Sequence, residues 1–186
     1  LNKQEEILKA ALKLFVEFGF HNTPTSKIAK EAGVANGTLF HYYKTKDELI
    51  LALYTSIKSR LSTQMYASAD VDKGYKELLK TIYVNTLDWA QEHPQEFYFV
   101  QQFNTSPFMS LISSEEIAKQ AKSHLELIET AIEQKVFKDF PPRLLFMLIN
   151  NYIYGLSQYL SQEALSGPKR KSLIDKSFES LWNMIS

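Results

Sequence analysis

Apolar residues recur at helical spacing through nearly the whole chain. Ile7, Ala11, Leu14, Phe15 and Phe18 form one stripe and predict a helix over 2–18. Gly19 stops it, and Phe20 is placed to fold back on Phe15. Leu49, Ile50, Leu53, Tyr54, Ile57 and Leu61 carry a longer stripe to about residue 67. Leu78, Leu79, Ile82, Tyr83, Thr86 and Trp89 predict a helix over 75–92, broken at His93-Pro94 because proline disfavours helix in the residue before it. Helical spacing resumes over 95–104, a short element follows over 108–113, and Ser114 is placed to cap a helix over 115–135. Asp139-Phe140-Pro141-Pro142 is a stop and a restart. From 143 to 166 the pattern is apolar nearly all round, which predicts a helix buried on several sides. Gly167-Pro168 breaks the chain before a last helix with Ile174, Phe178, Leu181, Trp182 and Ile185 as its stripe. No segment alternates with period two between turn residues, so the expected fold is all-α, with about nine helices and no sheet.

The stretch 25–46, TSKIAKEAGVANGTLFHYYKTK, stands apart. Thr25 is placed to cap a short helix over 26–32. Gly33 stops that helix, since a residue without Cβ takes the left-handed conformation cheaply, and Val34 closes over Ala29. A second short helix follows over 36–43. Helix, glycine-containing turn, helix is the pattern of a helix-turn-helix DNA reader. In the second helix Leu39 and Tyr43 share a core-facing side, while Gly37, Thr38, His41 and Tyr42 gather opposite and Asn36 lies at the border. Asn, Thr and His suit base edges in a major groove; Tyr hydroxyl and Lys suit phosphates. Ser26 and Lys27, a hydroxyl and a cation at the start of the first short helix, join the candidate set. Thr45 and Glu48 form a capping box for the long helix that follows. Lys46 then sits in a first turn, where the helix dipole disfavours a cation and a phosphate would relieve the conflict.

The run IAKEAGVANGTLFHYYKTKDEL resembles the DNA-binding signature of the TetR/AcrR family of transcriptional repressors. The signature is an AGV turn, a Gly-Thr-Leu-aromatic run with two further aromatics, and a lysine leading a fourth helix. The resemblance is close over about a quarter of the chain. It implies an N-terminal helix-turn-helix domain over 1–46 and a helical effector-binding and dimerisation domain over 47–186. It also implies that Thr25, Asn36, Gly37, Thr38, His41, Tyr42 and Lys46 touch DNA. Two residues depart from the pattern. Ala35 stands where many members carry a capping Ser, and Phe40 lacks the hydroxyl of a Tyr.

Charge and composition sharpen this picture locally. The 186 residues have zero formal net charge, so the whole chain does not announce a polyanionic partner. Over 21–46, however, Lys27, Lys30, Lys44 and Lys46 face only Glu31, a basic footprint on a neutral chain. There is no cysteine, which excludes disulfides, thiolate zinc sites and cysteine nucleophiles. His21, His41, His93 and His124 are scattered, and no nucleotide-binding or hydrolase fingerprint occurs, so no enzyme, metal or cofactor is expected. The first residues, LNKQEEILKA, are charged and unlike a signal peptide; Leu1 implies that a few residues, with room for a basic arm, precede it. The longest apolar run, 144–149, is too short to span a bilayer, and a soluble cytoplasmic protein is expected.

Two further surfaces are expected. The aromatic middle of the chain is either plain core or the lining of a pocket for a small hydrophobic or aromatic effector. The candidate lining is Trp89, Phe97, Phe99, Phe103 and Phe108, with Asn151 and Tyr152. The last two helices carry more apolar surface than a monomer hides comfortably. They are read as a four-helix homodimer interface through Ile149, Tyr152, Ile153, Leu156, Ile174, Phe178, Leu181 and Trp182, an arrangement the resemblance also implies. The resulting expectation is a homodimeric repressor on a near-palindromic double-stranded operator, released by its effector. The alternative is a helical small-molecule-binding or interaction protein whose helix-turn-helix is only scaffold.

Overall fold

The computed structural model describes residues 2–186, side chains included except at 114–121 and 123. Among the described residues there are nine α-helices and no strand. They are α1 (Lys3–Phe18), α2 (Thr25–Glu31), α3 (Asn36–Tyr42), α4 (Lys46–Met65), α5 (Tyr75–Glu92), α6 (Pro94–Asn104), α7 (Ser114–Glu133), α8 (Pro142–Gln162) and α9 (Gly167–Ile185). Short 3₁₀ turns at Val71–Lys73 and Pro107–Leu111 complete the chain. The predicted Ser114 cap lies outside the described side chains. No helix among the described residues is long and apolar enough to cross a membrane.

The helices fall into two compact units, and the division is not the simple N-terminal and C-terminal one. The first unit is 1–61 together with 93–113; the second is 62–92 together with 114–186. Helix α6 therefore belongs with α1–α3 and the first four turns of α4. The reason is aromatic. Phe99 of α6 packs on Phe20 at 5.5 Å and Phe15 at 6.3 Å, Phe15 and Phe20 lie 5.4 Å apart, and Phe108 closes on Phe20 at 5.1 Å. Phe103 stacks on Tyr54 of α4 at 3.9 Å, and the Tyr54 hydroxyl donates to Asn104 Oδ1 at 3.1 Å. Burial pushes the Tyr54 phenol up to about 12.

The second unit is built on α5, α7, α8 and α9. Leu79, Tyr83, Leu87, Ile128, Phe137, Leu145, Ile149, Ile153, Phe178 and Leu181 are among the residues of one buried cluster. Tyr83 and Ser177 share a hydrogen bond of 2.9 Å, and the Tyr152 hydroxyl donates to the Ser177 carbonyl. Burial pushes the Tyr83 phenol up to about 12, against the opposing Ser177 bond. Helices α8 and α9 form an antiparallel hairpin. At its open end the Lys138 amide donates to the Ile185 carbonyl at 2.7 Å, and Lys138 Nζ donates to the carbonyls of Asn183 and Met184. Lysine at a helix C-terminus satisfies carbonyls that have no partner within the helix.

Candidate nucleic-acid interface

The helix-turn-helix is set by its caps. Gly33 lies at φ +65°, the Val34 amide donates to the Ala29 carbonyl at 3.0 Å and the Gly33 amide to the Lys30 carbonyl at 3.1 Å. This pair of bonds is a Schellman stop, as expected from the AGV turn. The start of α2 differs from expectation. Thr25 is its first residue rather than its cap; the Pro24 carbonyl accepts from Lys27 and Ile28, and no side chain caps the helix. Proline before the first turn loses nothing there, since its missing N–H would have no helical partner. Thr23 supplies what holds the turn before α2. Fully buried, it donates to the carbonyls of Gly19 and Leu14, tying this turn to the end of α1.

Helix α3 buries only Leu39, and Tyr43 just beyond it is buried with its hydroxyl accepting from Gln4 Nε2 at 3.2 Å. Leu39 and Tyr43 thus fix the inward side, four residues apart as predicted. Asn36, Gly37, His41 and Tyr42 are exposed and Thr38 half-buried. The His41 and Tyr42 rings meet edge to face at 5.5 Å. Gly37 has open space where a Cβ would sit, so its side of α3 admits close approach of another backbone. Ala35 takes the extended conformation of an N-cap but supplies no side-chain bond, as its missing hydroxyl requires.

The flanks of α3 complete the surface. Glu48 donates its amide to Thr45 Oγ1 at 3.1 Å, while its carboxylate accepts from the Lys44 amide at 2.6 Å. The box is therefore closed one residue earlier than the usual pattern. Lys46, half-buried at the first turn of α4, has its ammonium pushed down by burial, with Asp47 opposing. Thr25 is half-buried, and Ser26 and Lys27 are exposed. The Lys27 ammonium rests 3.2 Å from the centre of the Phe18 ring, a cation–π contact. Sequence reasoning placed Phe18 on the core stripe of α1; it is 37% exposed and serves as a seat for Lys27. Phe18 at the last turn of α1 carried no signal separating the two roles. All nine predicted DNA-contact positions thus remain accessible to a ligand on the molecule's surface.

The other candidate sites fare differently. Phe97, Phe99, Phe103 and Phe108 belong to the first unit, whereas Trp89, Asn151 and Tyr152 belong to the second. Phe99 and Phe103 are fully buried in the ring contacts described above. Asn151 is exposed on α8, donating to the Met147 carbonyl, and the Tyr152 hydroxyl is taken by Ser177. Of the residues assigned to dimerisation, Ile149, Ile153, Ile174, Phe178 and Leu181 are buried within the single chain, and Tyr152, Leu156 and Trp182 pack against the same cluster. The apolar residues that α8 leaves exposed are others: Leu144, Met147, Leu148 and Tyr159. No group of three or more His, Asp or Glu among the described residues is placed to hold a metal ion.

Comparison with known proteins agrees with this geometry. The model of the family described as bacterial regulatory proteins, tetR family, matches residues 7–53, from the first buried residue of α1 to the second turn of α4. The fatty acid metabolism regulator protein of Bacillus subtilis (strain 168) is 42% identical over 52 residues, a segment that is 28% of this chain and 27% of that protein. The uncharacterized HTH-type transcriptional regulator YhgD of the same organism is 24% identical over 158 residues, 82% of each chain. A crystal structure assigned to the TetR family of transcription regulators, from Shewanella sp. PV-4, superposes with a TM-score of 0.89 at 28% identity, covering 100% of this chain and 98% of the other. The chain thus carries the DNA-reading segment of the TetR family of transcriptional regulators, continued by a fold that it shares over its whole length with a regulator assigned to that family.

Proposed function

We propose that this regulator is a repressor: a homodimer on a near-palindromic operator, released when a hydrophobic or aromatic small molecule binds. The observation that carries the DNA reading is α3 itself, which buries one residue and presents Asn36, Gly37, Thr38, His41 and Tyr42 outward. Asn36, Thr38 and His41 read base edges; Tyr42, Lys27 and Lys46 hold phosphates. Lys46 loses little by meeting a phosphate, since it is already partly stripped of water and sits against an unfavourable dipole.

The dimer reading is supported by the exposed side of α8. Leu144, Leu148, Asn151, Gly155 and Tyr159 follow one another at spacings of three and four, so they share a face. An end-for-end copy centred near Asn151 sets Leu148 opposite Gly155 and Leu144 opposite Tyr159. Gly155 has nothing within 4 Å of where a Cβ would stand, leaving a notch for Leu148. The effector reading is supported by the place of α6. A ligand that displaces α6 acts on the DNA-reading unit directly, through Phe99 against Phe15 and Phe20. The relative named for fatty acid metabolism matches over the DNA-binding segment, so its name bears on the reader rather than on the effector.

Binding to the DNA upstream of the coding sequence, followed by fluorescence anisotropy across a salt series, tests the proposal. Affinity falls steeply with salt through counterion release. Lys46→Ala weakens all sequences alike and shallows the slope by about one phosphate contact. Thr38→Val or His41→Ala alters sequence preference instead, by about 1–3 kcal/mol at the base concerned. Equal affinity of the Lys46→Ala variant at every salt concentration overturns the phosphate role, and no binding at low salt favours the scaffold alternative.

A further inference from the structure

A shallow groove of about 410 Å³ lies on the second unit, where α7 ends and α8 begins. It is lined by Glu129, Glu133 and Asp139 together with Ile132, Phe140 and Pro142. Carboxylates beside apolar side chains suit a cation on an aliphatic stem, which is the shape of lysine. Among the described residues none of the three carboxylates is paired with a cation of its own chain. The nearby Lys138 is turned to the carbonyls at the end of α9, and neither Lys135 nor Arg143 lines the groove.

Along α9, from its start at the other end of the hairpin to its middle, the exposed charged side chains without an ion pair among the described residues are cationic. Arg170 is held by Asp88 at 2.7 Å and by the Leu87 carbonyl, and the α9 carboxylates Asp175 and Glu179 are held by Lys80 and Lys76 of α5. Lys169 and Lys176 are exposed and have no such partner among the described residues. Seven residues apart, they lie on one face of α9 with Leu173, Ser180 and the 39% exposed Met184. Lys169 stands beside the C-terminal end of α8 and the groove beside its N-terminal end. The length of α8, 21 residues at about 1.5 Å each, separates them. One chain cannot join them.

A second copy turned end for end can. A two-fold axis crossing α8 brings the start of the partner's α9 to the start of this α8, and each contact is made twice. A parallel arrangement instead sets carboxylates against carboxylates. We infer that the groove receives the basic face of α9 from a second copy of this chain, with Lys169 and Lys176 on the carboxylates of Glu129, Glu133 and Asp139. This rests on the homodimer reading above and adds what selects the register. Charges at the rim of an interface steer and orient more than they bind, and like charges there repel.

The test is a charge exchange on the full chain, followed by sedimentation at low and high salt, with circular dichroism to confirm folding. One variant carries Glu129→Lys and Glu133→Lys; the other carries Lys169→Glu and Lys176→Glu. Each alone is expected to dimerise about tenfold more weakly than wild type at low salt, and less so at high salt. Mixed, they form heterodimers with wild-type affinity, because both contacts regain opposite charges; all four substitutions in one chain restore the homodimer. Single-sided variants that dimerise like wild type, or a mixture that fails to recover, overturn the pairing while leaving the dimer standing. A wild-type chain that stays monomeric overturns the homodimer reading and the pairing with it.

Discussion

Helix α3 is seven residues long and buries one of them; α8 is 21 residues long, buries four, and leaves Leu144, Met147, Leu148 and Tyr159 at 38–52% exposure. Apart from Phe40, the side chains that α3 exposes carry polar groups, whereas α8 exposes a run of large apolar ones. Polar side chains on a short helix cost nothing in water and need a partner only to do chemistry. Apolar side chains on a long helix already cost free energy in the free subunit, which is why an assembly gains by covering them. In the function proposed above, one face meets an ion-rich surface and the other a second subunit.

The sharpest way to break that contrast is to compare a residue inside the second unit with one on its outer face. Phe178→Ala removes a fully buried ring, and about 3–5 kcal/mol of stability is expected to go with it in a urea titration. Leu148→Asp is expected to leave the subunit folded while the dimer dissociates in sedimentation. If Leu148→Asp unfolds the chain and Phe178→Ala does not, the two faces of the hairpin have been assigned the wrong way round.

A smaller effect compares the cores of the two units. Tyr54 and Tyr83 are both pushed up to about 12 by burial. Their phenols ionise in the unfolded chain near pH 10 and in the folded chain only near 12. Stability from each is complete below pH 10 and drains as pH climbs through 12. Tyr54→Phe and Tyr83→Phe should each flatten the fall of melting temperature from pH 9 to 12. An unchanged slope in both would mean that neither phenol is as shielded as its packing implies.

The smallest expected change is at α3 itself. Ala35 holds cap geometry without a cap, so Ala35→Ser is expected to stabilise the chain by about 1 kcal/mol, read as a rise in melting temperature. A fall would show that the turn has no room for the hydroxyl.

The same contrast explains what the sequence revealed. Gly33, Val34 and Ala29 announced their stop because glycine at positive φ and its paired bonds are local. Leu39 and Tyr43 announced the inward side of α3 because few other positions there are apolar. In α8 nearly every position is apolar, so periodicity named no buried side, and Ile149 and Ile153 were assigned to a partner when the chain's own core takes them. The place of α6 was equally hidden. Phe97, Phe99 and Phe103 read as pocket or core alike, and only long-range packing on Phe15, Phe20 and Tyr54 decides that Phe99 and Phe103 are core.

Because residues 93–113 complete the unit that begins at the N-terminus, the DNA reader is not a detachable cassette. Cutting the chain after α4 strips Phe99 and Phe108 from Phe15 and Phe20 and leaves two aromatic rings bare. A chimaera that grafts this reader onto another body must carry the later segment along, and drift in α1 is tied to drift some eighty positions downstream, at Phe99.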